Sequence, residues 1–524
     1  MIATPGVKPI LDAMIPTSTD LSVEVASDLP RDVDAIAVFV TKETDKKSLN
    51  VPAEFRESVA SLRDAGLVSG KANEVVVHLP QGKSANKLIV VGLGESEKIS
   101  PEILRTAAAT VVRVAGKHGL TKVTMFVGSR TGSVGFEDCI DAIVTGAKLV
   151  SFDWTEYRGS ATKKSEKQRA AKITLVVDRP ELSNAKKIAH RAGIIADGQN
   201  FARTIASRPG NEINPPALAD VAKKMAKEVG LACRVLDEKE MKRLGMGGIL
   251  AVGAGANRTP PRMIVLEHKG KTKSKGAPLL VVGKAITFDT GGISIKPADK
   301  MGRMVFDKCG AMAVLGLMYS AAKLKLPIHI VGILSSAENH ISETAYRPGD
   351  LLRMYNGVTV EVTNTDAEGR LVLGDALSWG IETYKPAAVV DLATLTGGCV
   401  IALGHLWAGL MSNSDALSDE ITKYATQAGE KVWRLPIGEE VREMLKSDFA
   451  DIVNSAGRWA SPLTAGAFLS YFVPEDGKTP WVHLDIAGVA ETEKDMPYYG
   501  KGATGWGVRT LVNWATARAT DFAK

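Results

Sequence analysis

Two stretches of the chain concentrate residue types that can do chemistry. The first is Val281-Val-Gly-Lys-Ala-Ile-Thr-Phe-Asp-Thr-Gly-Gly-Ile-Ser-Ile-Lys296, with Asp307 downstream of it. The second is Val358-Thr-Val-Glu-Val-Thr-Asn-Thr-Asp-Ala-Glu-Gly-Arg-Leu-Val-Leu373. Together they offer the carboxylates Asp289, Asp307, Asp366 and Glu368, the amines Lys284 and Lys296, and the guanidinium Arg370. Clustered carboxylates repel one another unless cations compensate. Oxygen-rich sets suit divalent metals, and two ions can share a bridging carboxylate and activate one water. Blander accounts exist for each piece. Asp307 could cap a helix, Lys284 and Asp289 could form an ion pair at a strand end, and Asp366–Arg370 could be a capped helix start.

These residues need a scaffold that delivers them to one place. Leu279–Val282 reads as a buried strand ending at Gly283, and Gly291-Gly292 allows a tight turn before Lys296. Val358, Val360 and Val362 alternate as a strand, and Leu373, Leu377 and Ile381 follow at helical spacing. Asp366, Glu368 and Arg370 then fall in a strand-to-helix turn at a sheet's carboxyl end. If that turn is extended, residues two apart point the same way. Further strands are expected at Met263–Leu266, Ile328–Leu334, Ala387–Leu392 and Val482–Ile486, with helices at Ala311–Leu324 and Leu371–Thr383. This alternation predicts a largely parallel sheet covered on both faces, with ligands beyond its carboxyl ends.

The first third of the chain repeats the α/β pattern without a dense polar cluster. Strands are expected at Asp34–Val40, Glu74–Val77, Leu88–Val91, Val123–Val127 and Ile173–Val177, and helices at Pro101–Gly116 and Glu137–Leu149. A long helix over Leu182–Ile205 would connect this part to the second. The lysine-rich stretches 159–169 and 269–275 read as surface loops.

Composition bounds the function. Among 524 residues, 65 Lys and Arg against 59 Asp and Glu leave +6, too small an excess to nominate a nucleic-acid binder by charge alone. Cys139, Cys233, Cys309 and Cys399 form no CxxC pair and suggest no disulfide framework. Residues 1–16 lack the plan of a secretory signal, and no run reaches the roughly 18 apolar residues of a membrane span. A cytoplasmic protein is expected. Gly253-Ala-Gly-Ala-Asn-Arg258 imitates a dinucleotide fingerprint, but its third glycine is absent and Pro260-Pro261 blocks the helix. The eight histidines are scattered, and no P-loop, HExxH or GxSxG motif is present.

At this point the residues resemble a known family. Asn364-Thr-Asp-Ala-Glu-Gly-Arg-Leu371 is the signature octapeptide of the leucine (cytosol) aminopeptidase family. Gly283–Pro297 looks like that family's other metal-binding segment. Asp391-Leu-Ala-Thr-Leu-Thr-Gly397, His483-Leu-Asp-Ile-Ala-Gly488 and Lys501-Gly-Ala-Thr-Gly505 follow in family order. The resemblance implies an N-terminal macro-like α/β domain (1–180), a connecting helix (181–208) and a catalytic α/β domain with a mainly parallel central sheet (209–524).

It also implies two divalent ions, Mn2+ or Zn2+ foremost. Asp289, Asp366 and Glu368 would hold one, and Lys284, Asp289, Asp307 and Glu368 the other. A lysine ligand must be neutral. Releasing its proton near neutral pH, from an ordinary value of about 10.4, costs about 4 kcal/mol, which an adjacent dication can supply. A plain ion pair would instead strengthen the proton's hold. Lys296 would stabilise the developing oxyanion, and Arg370 would hold a bicarbonate acting as general base. Met304, Thr394, Gly397 and Ala487 would line the pocket for the first side chain. The expected reaction is removal of leucine and other apolar first residues from peptides with a free N-terminus, by a homohexamer. Some bacterial relatives also bind DNA, which stands as an alternative, additional role. The chain departs from the family pattern at Gly302, Arg303 and Val305, where acidic and lysine residues are more usual. That departure bears on the pocket rim rather than on metal binding.

Overall fold

The computed structural model describes residues 20–43, 53–80, 87–128, 130–162, 170–270 and 276–521. The expected loop residues 163–169 and 271–275, and the start of the chain at 1–16, lie outside them. The chain divides into two compact units, one centred on Phe201–Glu493 with Gly502–Lys524 and one on Ile15–Asn200 with Lys494–Lys501. The helix Leu182–Ser207 runs through the division.

The N-terminal unit is built on a six-stranded sheet. Its strand order is Ser22–Ala26, Lys172–Val176, Lys122–Phe126, Ala35–Val40, Lys87–Gly92, Val75–His78. All neighbours are parallel except the last pair. Strict period-two alternation sorts its apolar side chains onto two faces. Ala35, Ala37, Ile89 and Val91 join Leu104, Val111, Ile140 and Val144 from the helices Pro101–Lys117 and Phe136–Val150. Ile36, Val38, Leu88 and Val90 pack with Phe55, Val59 and Leu62 from Ala53–Asp64. Both faces are therefore apolar and covered, which is why these strands read as continuous hydrophobic runs.

The larger unit holds an eight-stranded mixed sheet. Its order is Val432–Arg434, Ala408–Ser412, Trp481–Asp485, Ala388–Ala393, Leu279–Asp289, Ile330–Asn339, Arg262–His268, Ala232–Leu236. The four central strands are mutually parallel, while Arg262–His268 pairs antiparallel with both its neighbours and Ala408–Ser412 with Trp481–Asp485. Helices pack on both faces. Gly332 lies against Val314 and Met318 of the helix Cys309–Leu324, and Gly380 of the helix Glu368–Tyr384 lies against Leu280 and Ile333. The segment Met301–Leu324 is apolar and long enough to cross a membrane, yet most of it is buried in protein, as in a core helix.

Two expectations need correction. The strand begun at Leu279 does not stop at Gly283 but continues to Asp289, with a register irregularity between Ile286 and Asp289. Lys284 therefore sits inside a central strand, paired with Ser335. A buried amine reads as a strand end in sequence because its compensating charges come from elsewhere in the chain. Second, the strand at Thr359–Glu361 belongs to a separate three-stranded sheet with Leu351–Arg353 and Ile452–Val453. Alternation says that one face is buried, but not in which sheet.

Candidate functional site

The parity of the central strand starts the site. Lys284 shares a face with Leu280 and Val282, four and two residues before it, and so points toward the helix Glu368–Tyr384. Gly369 in that helix leaves the slot: a Cβ there would stand 2.7 Å from Lys284 Cε. The Lys284 amine is buried and donates to Glu368 Oε1 at 2.8 Å, Asp307 Oδ1 at 2.9 Å and the Thr394 carbonyl at 2.8 Å. Asp307 arrives at the end of the short 3-10 helix Met301–Phe306, just before Cys309–Leu324 begins.

Lys296 closes the other side. It lies 2.9 Å from Asp289 Oδ2 and also pairs with Asp366. The turn that returns it uses Gly291 and Gly292 at φ +86° and +65°, a left-handed path that side chains resist. This turn is sewn to the second segment by Thr365, whose hydroxyl donates to the Gly291 carbonyl at 2.6 Å and accepts from the Ser294 N–H at 2.7 Å. Asp289, Asp366 and Glu368 each offer one oxygen, and all three lie within 4.8 Å of one another.

The extended-turn argument for Glu368 and Arg370 fails. Ala367 caps the helix, so both residues stand in its first turn, and their side chains part company. Glu368 goes to Lys284. Arg370 is buried, donates Nη1 to the Asn454 carbonyl at 2.8 Å and stacks its guanidinium 5.9 Å from the Phe468 ring centroid.

The electrostatics follow from two lysines facing four carboxylates in a buried space. Burial disfavours the Lys284 charge, but Asp307, Glu368 and Asp289 outweigh it and raise the amine's pKa. Lys296 behaves alike, with Asp289, Glu368 and Asp366 holding its proton against burial. Burial, with repulsion from Glu368 and Asp289, pushes Asp307 up to about 8 and Asp366 to about 6, against the pull of the lysines. Asp289 is raised for the same reason, whereas Lys284 and Lys296 hold Glu368 low despite its burial. Burial lowers Arg370 to about 10. Asp307 Oδ2 is buried without a hydrogen-bond partner. Excess carboxylates, an unpartnered buried oxygen and a three-oxygen cradle form a donor set that fits divalent cations.

The candidate pocket residues are more dispersed. Thr394 touches the cluster directly, its hydroxyl donating to Asp307 Oδ1 at 2.7 Å. Gly397 opens the helix Gly397–Leu403, which Thr396 caps. Ala487 donates its N–H to Asp485 Oδ1 at 3.1 Å. Met304 lies in the Met301–Phe306 turn, three residues before Asp307.

Sequence reasoning missed several supporting residues. Asn339 donates to Asp289 Oδ1 at 2.8 Å and to the Thr365 carbonyl at 3.0 Å, and Tyr346 donates to that same carbonyl at 2.7 Å. Asn339 carried a usable signal: a polar residue at the carboxyl end of a buried strand. Asn454 carried none, because its role depends on partners distant in sequence, and Asp485 was visible only as part of the family segment His483–Gly488.

A carboxylate–lysine cluster at the carboxyl edge of a doubly covered α/β sheet defines a hydrolytic enzyme class built around divalent cations. The family model for the cytosol aminopeptidase catalytic domain matches residues 200–512, and that for the family's N-terminal domain matches 37–161. A probable cytosol aminopeptidase from Solibacter usitatus is 42% identical over 463 residues, covering 88% of this chain and 93% of its own length. One from Aquifex aeolicus is 39% identical over 92% and 94%. Among solved structures, a tomato leucine aminopeptidase mutant superposes with a TM-score of 0.82 at 30% identity, covering 95% of this chain and 96% of its own. The bottromycin maturation enzyme BotP in complex with Mn does so at 0.80 and 30%, over 93% and 100%. The chain belongs to the cytosol aminopeptidase family, and it is a metal-dependent aminopeptidase of that family.

Proposed function

We propose that this protein removes leucine and other apolar first residues from peptides with a free N-terminus, using two divalent cations, Mn2+ or Zn2+. The supporting observation is the single buried network of Lys284, Asp289, Lys296, Asp307, Asp366 and Glu368, with two more carboxylates than amines. Asp289, Asp366 and Glu368 would hold one ion, and Lys284, Asp289, Asp307 and Glu368 the other. When bound, such ions acidify a water and polarise the scissile carbonyl.

The chain's own groups do the rest. Lys284 would have to be neutral to serve as a ligand, and a neighbouring dication would oppose the pull of the carboxylates that otherwise holds its proton. Lys296, one-fifth exposed, keeps its charge and stabilises the oxyanion that develops on the carbonyl oxygen. Arg370 has a buried Nε without a hydrogen-bond partner, and its planar fork suits a bicarbonate whose basicity would replace an absent histidine base. Thr394, beside Lys284 and Asp307, lies where the substrate's amino end would be held, with Met304, Gly397 and Ala487 around the first side chain.

The same reading places the protein in the cytoplasm as a homohexamer. Support for an assembly comes from exposed Trp459, Phe449, Ile401 and Trp433 on the catalytic unit. Sedimentation that finds only monomers at micromolar concentration would contradict it.

The decisive assay uses chelator-treated protein on leucine p-nitroanilide and on its N-acetylated form, with Mn2+ or Zn2+ restored. Metal should restore cleavage of the free amine only, and equal rates on the blocked substrate would defeat the reading. Arg370→Ala should lower kcat by about 100-fold or more, with a smaller rise in KM. An unchanged kcat removes the arginine from the scheme.

A further inference from the structure

The segment Met301–Phe306 departs from the family pattern at Gly302, Arg303 and Val305, and it carries Met304 and leads into Asp307. Its backbone is held by 3-10 hydrogen bonds, such as Arg303 N–H to the Lys300 carbonyl at 2.8 Å. Such turns have poor geometry and do not hold themselves rigid. Its entry is strained as well, since Lys300 stands at φ +62° without being glycine.

Two side chains fasten the segment: buried Lys308, whose Nζ donates to the Val305 carbonyl and to the Arg208 carbonyl at 2.9 Å, holds its exit, and the middle is held by Arg303. Its guanidinium donates from Nε to Glu491 Oε1 at 3.2 Å, forms an ion pair through Nη2 and Oε2, and lies 5.0 Å over the Phe306 ring centroid. The side chains of Arg303 and Glu491 are only 31% and 19% exposed, so water screens this pair less than it does Lys300–Glu493 alongside, at 67% and 56%. Glu491 is itself anchored. Glu491–Thr492 pairs with Gly502–Ala503, the Thr504 N–H donates to the Ala490 carbonyl at 2.9 Å, and the Ala490 N–H donates to the Ile486 carbonyl at 2.9 Å. Ala487 lies inside that turn. The pair therefore joins the stretch bearing Met304 to the stretch bearing Ala487, two residues expected to line one pocket.

We propose that Arg303 and Glu491 are a positioning pair that sets selectivity for the peptide's first residue by fixing the Met304 segment against the Ala487 turn. This rests on the assignment of Met304 and Ala487 to the first-residue pocket made under Proposed function. A planar guanidinium that donates from Nε and stacks on Phe306 fixes direction as well as distance, which a lysine's point charge does not. Loosening it lets the pocket widen, so discrimination against a larger first residue falls.

The experiment compares kcat and KM on leucine and phenylalanine p-nitroanilides for the Mn2+-loaded wild type, Arg303→Met, Arg303→Lys, Glu491→Gln and the reversed pair Arg303→Glu with Glu491→Arg. Melting temperatures are taken in parallel. Arg303→Met and Glu491→Gln should each lower the leucine-to-phenylalanine ratio of kcat/KM by about five- to tenfold, mainly through KM. Arg303→Lys should go the same way by less, and the reversed pair should return the ratio to within about twofold of wild type. A ratio unmoved in both single variants overturns the proposal. So does an equal loss of kcat on both substrates, which would make the pair purely structural. A wild type that cleaves neither substrate strikes the proposed function itself, and the inference with it.

Discussion

Two buried polar regions of the catalytic unit solve opposite problems. In one, Asp391 and Asp485 have every carboxylate oxygen satisfied. Asp391 accepts from His483 Nδ1 at 2.6 Å and Trp481 Nε1 at 2.7 Å, with His483 directly opposite it on the next strand. Asp485 accepts from the N–H groups of Leu395 and Ala487 and from the Thr396 hydroxyl at 2.6 Å. Burial disfavours charge on His483, yet Asp391 keeps its pKa raised. In the other region, Lys284 and Lys296 face Asp289, Asp307, Asp366 and Glu368. Negative charge there exceeds what the protein supplies to balance it. The first arrangement leaves no carboxylate oxygen without a donor, although His483 Nε2 is buried without a partner, whereas the second is stable only with protons or cations added.

The largest test removes a carboxylate from the unbalanced region. Asp307→Asn should cost activity by more than the roughly 10- to 100-fold typical of losing an outer-shell partner, and should reduce bound metal. Above about pH 8, where Asp307 would carry a repelled charge, the chelated variant should nevertheless melt no lower than chelated wild type. The pH dependence gives the same contrast. Asp307 rises from an ordinary 3.8 to about 8 in the metal-free fold. The native state then keeps a proton that the unfolded chain has released. The stability this contributes is whole below pH 3.8 and is lost as pH climbs through about 8. Denaturant titrations of chelated protein should show that decline, with a flatter profile in Asp307→Asn and after Mn2+ addition.

Asp391→Asn should do the reverse. An amide can accept from Trp481 or His483 but not from both, so about 2–3 kcal/mol of stability should disappear while metal content holds. Parity between the two variants in chelated melting temperature would erase the distinction between the regions. The smallest effect belongs to Thr396→Ala, which removes the cap of Gly397–Leu403 and one donor to Asp485. A loss of about 1–2 kcal/mol is expected by denaturant titration, again without loss of metal.

Legibility in the sequence followed the range of the interactions. Five strands of the N-terminal unit were readable because their runs are apolar and self-announcing, whereas the edge strand Ser22–Ala26, with no fully buried residue, was not expected. The octapeptide Asn364–Leu371 was readable because its chemistry is packed into eight neighbours. The path of Leu279–Asp289 beyond Gly283 was not, since a buried lysine is tolerated only through Asp307, Glu368 and Thr394. The sheet that Thr359–Glu361 would join was equally hidden, because strand partners are chosen by the whole core. Arg303 stood out in sequence as a departure, but its partner Glu491, 188 residues away, did not.

By itself, the chain's order of residues determined the α/β alternation, the motif positions and the stock of acids and amines available for chemistry. Those properties rest on local periodicity and residue type. Only the tertiary structure decided that Lys284 lies within a strand beside Glu368, that Glu368 and Arg370 diverge from one helical turn, and which buried carboxylates were left without enough donors. Charge balance in a buried space depends on which distant groups arrive there.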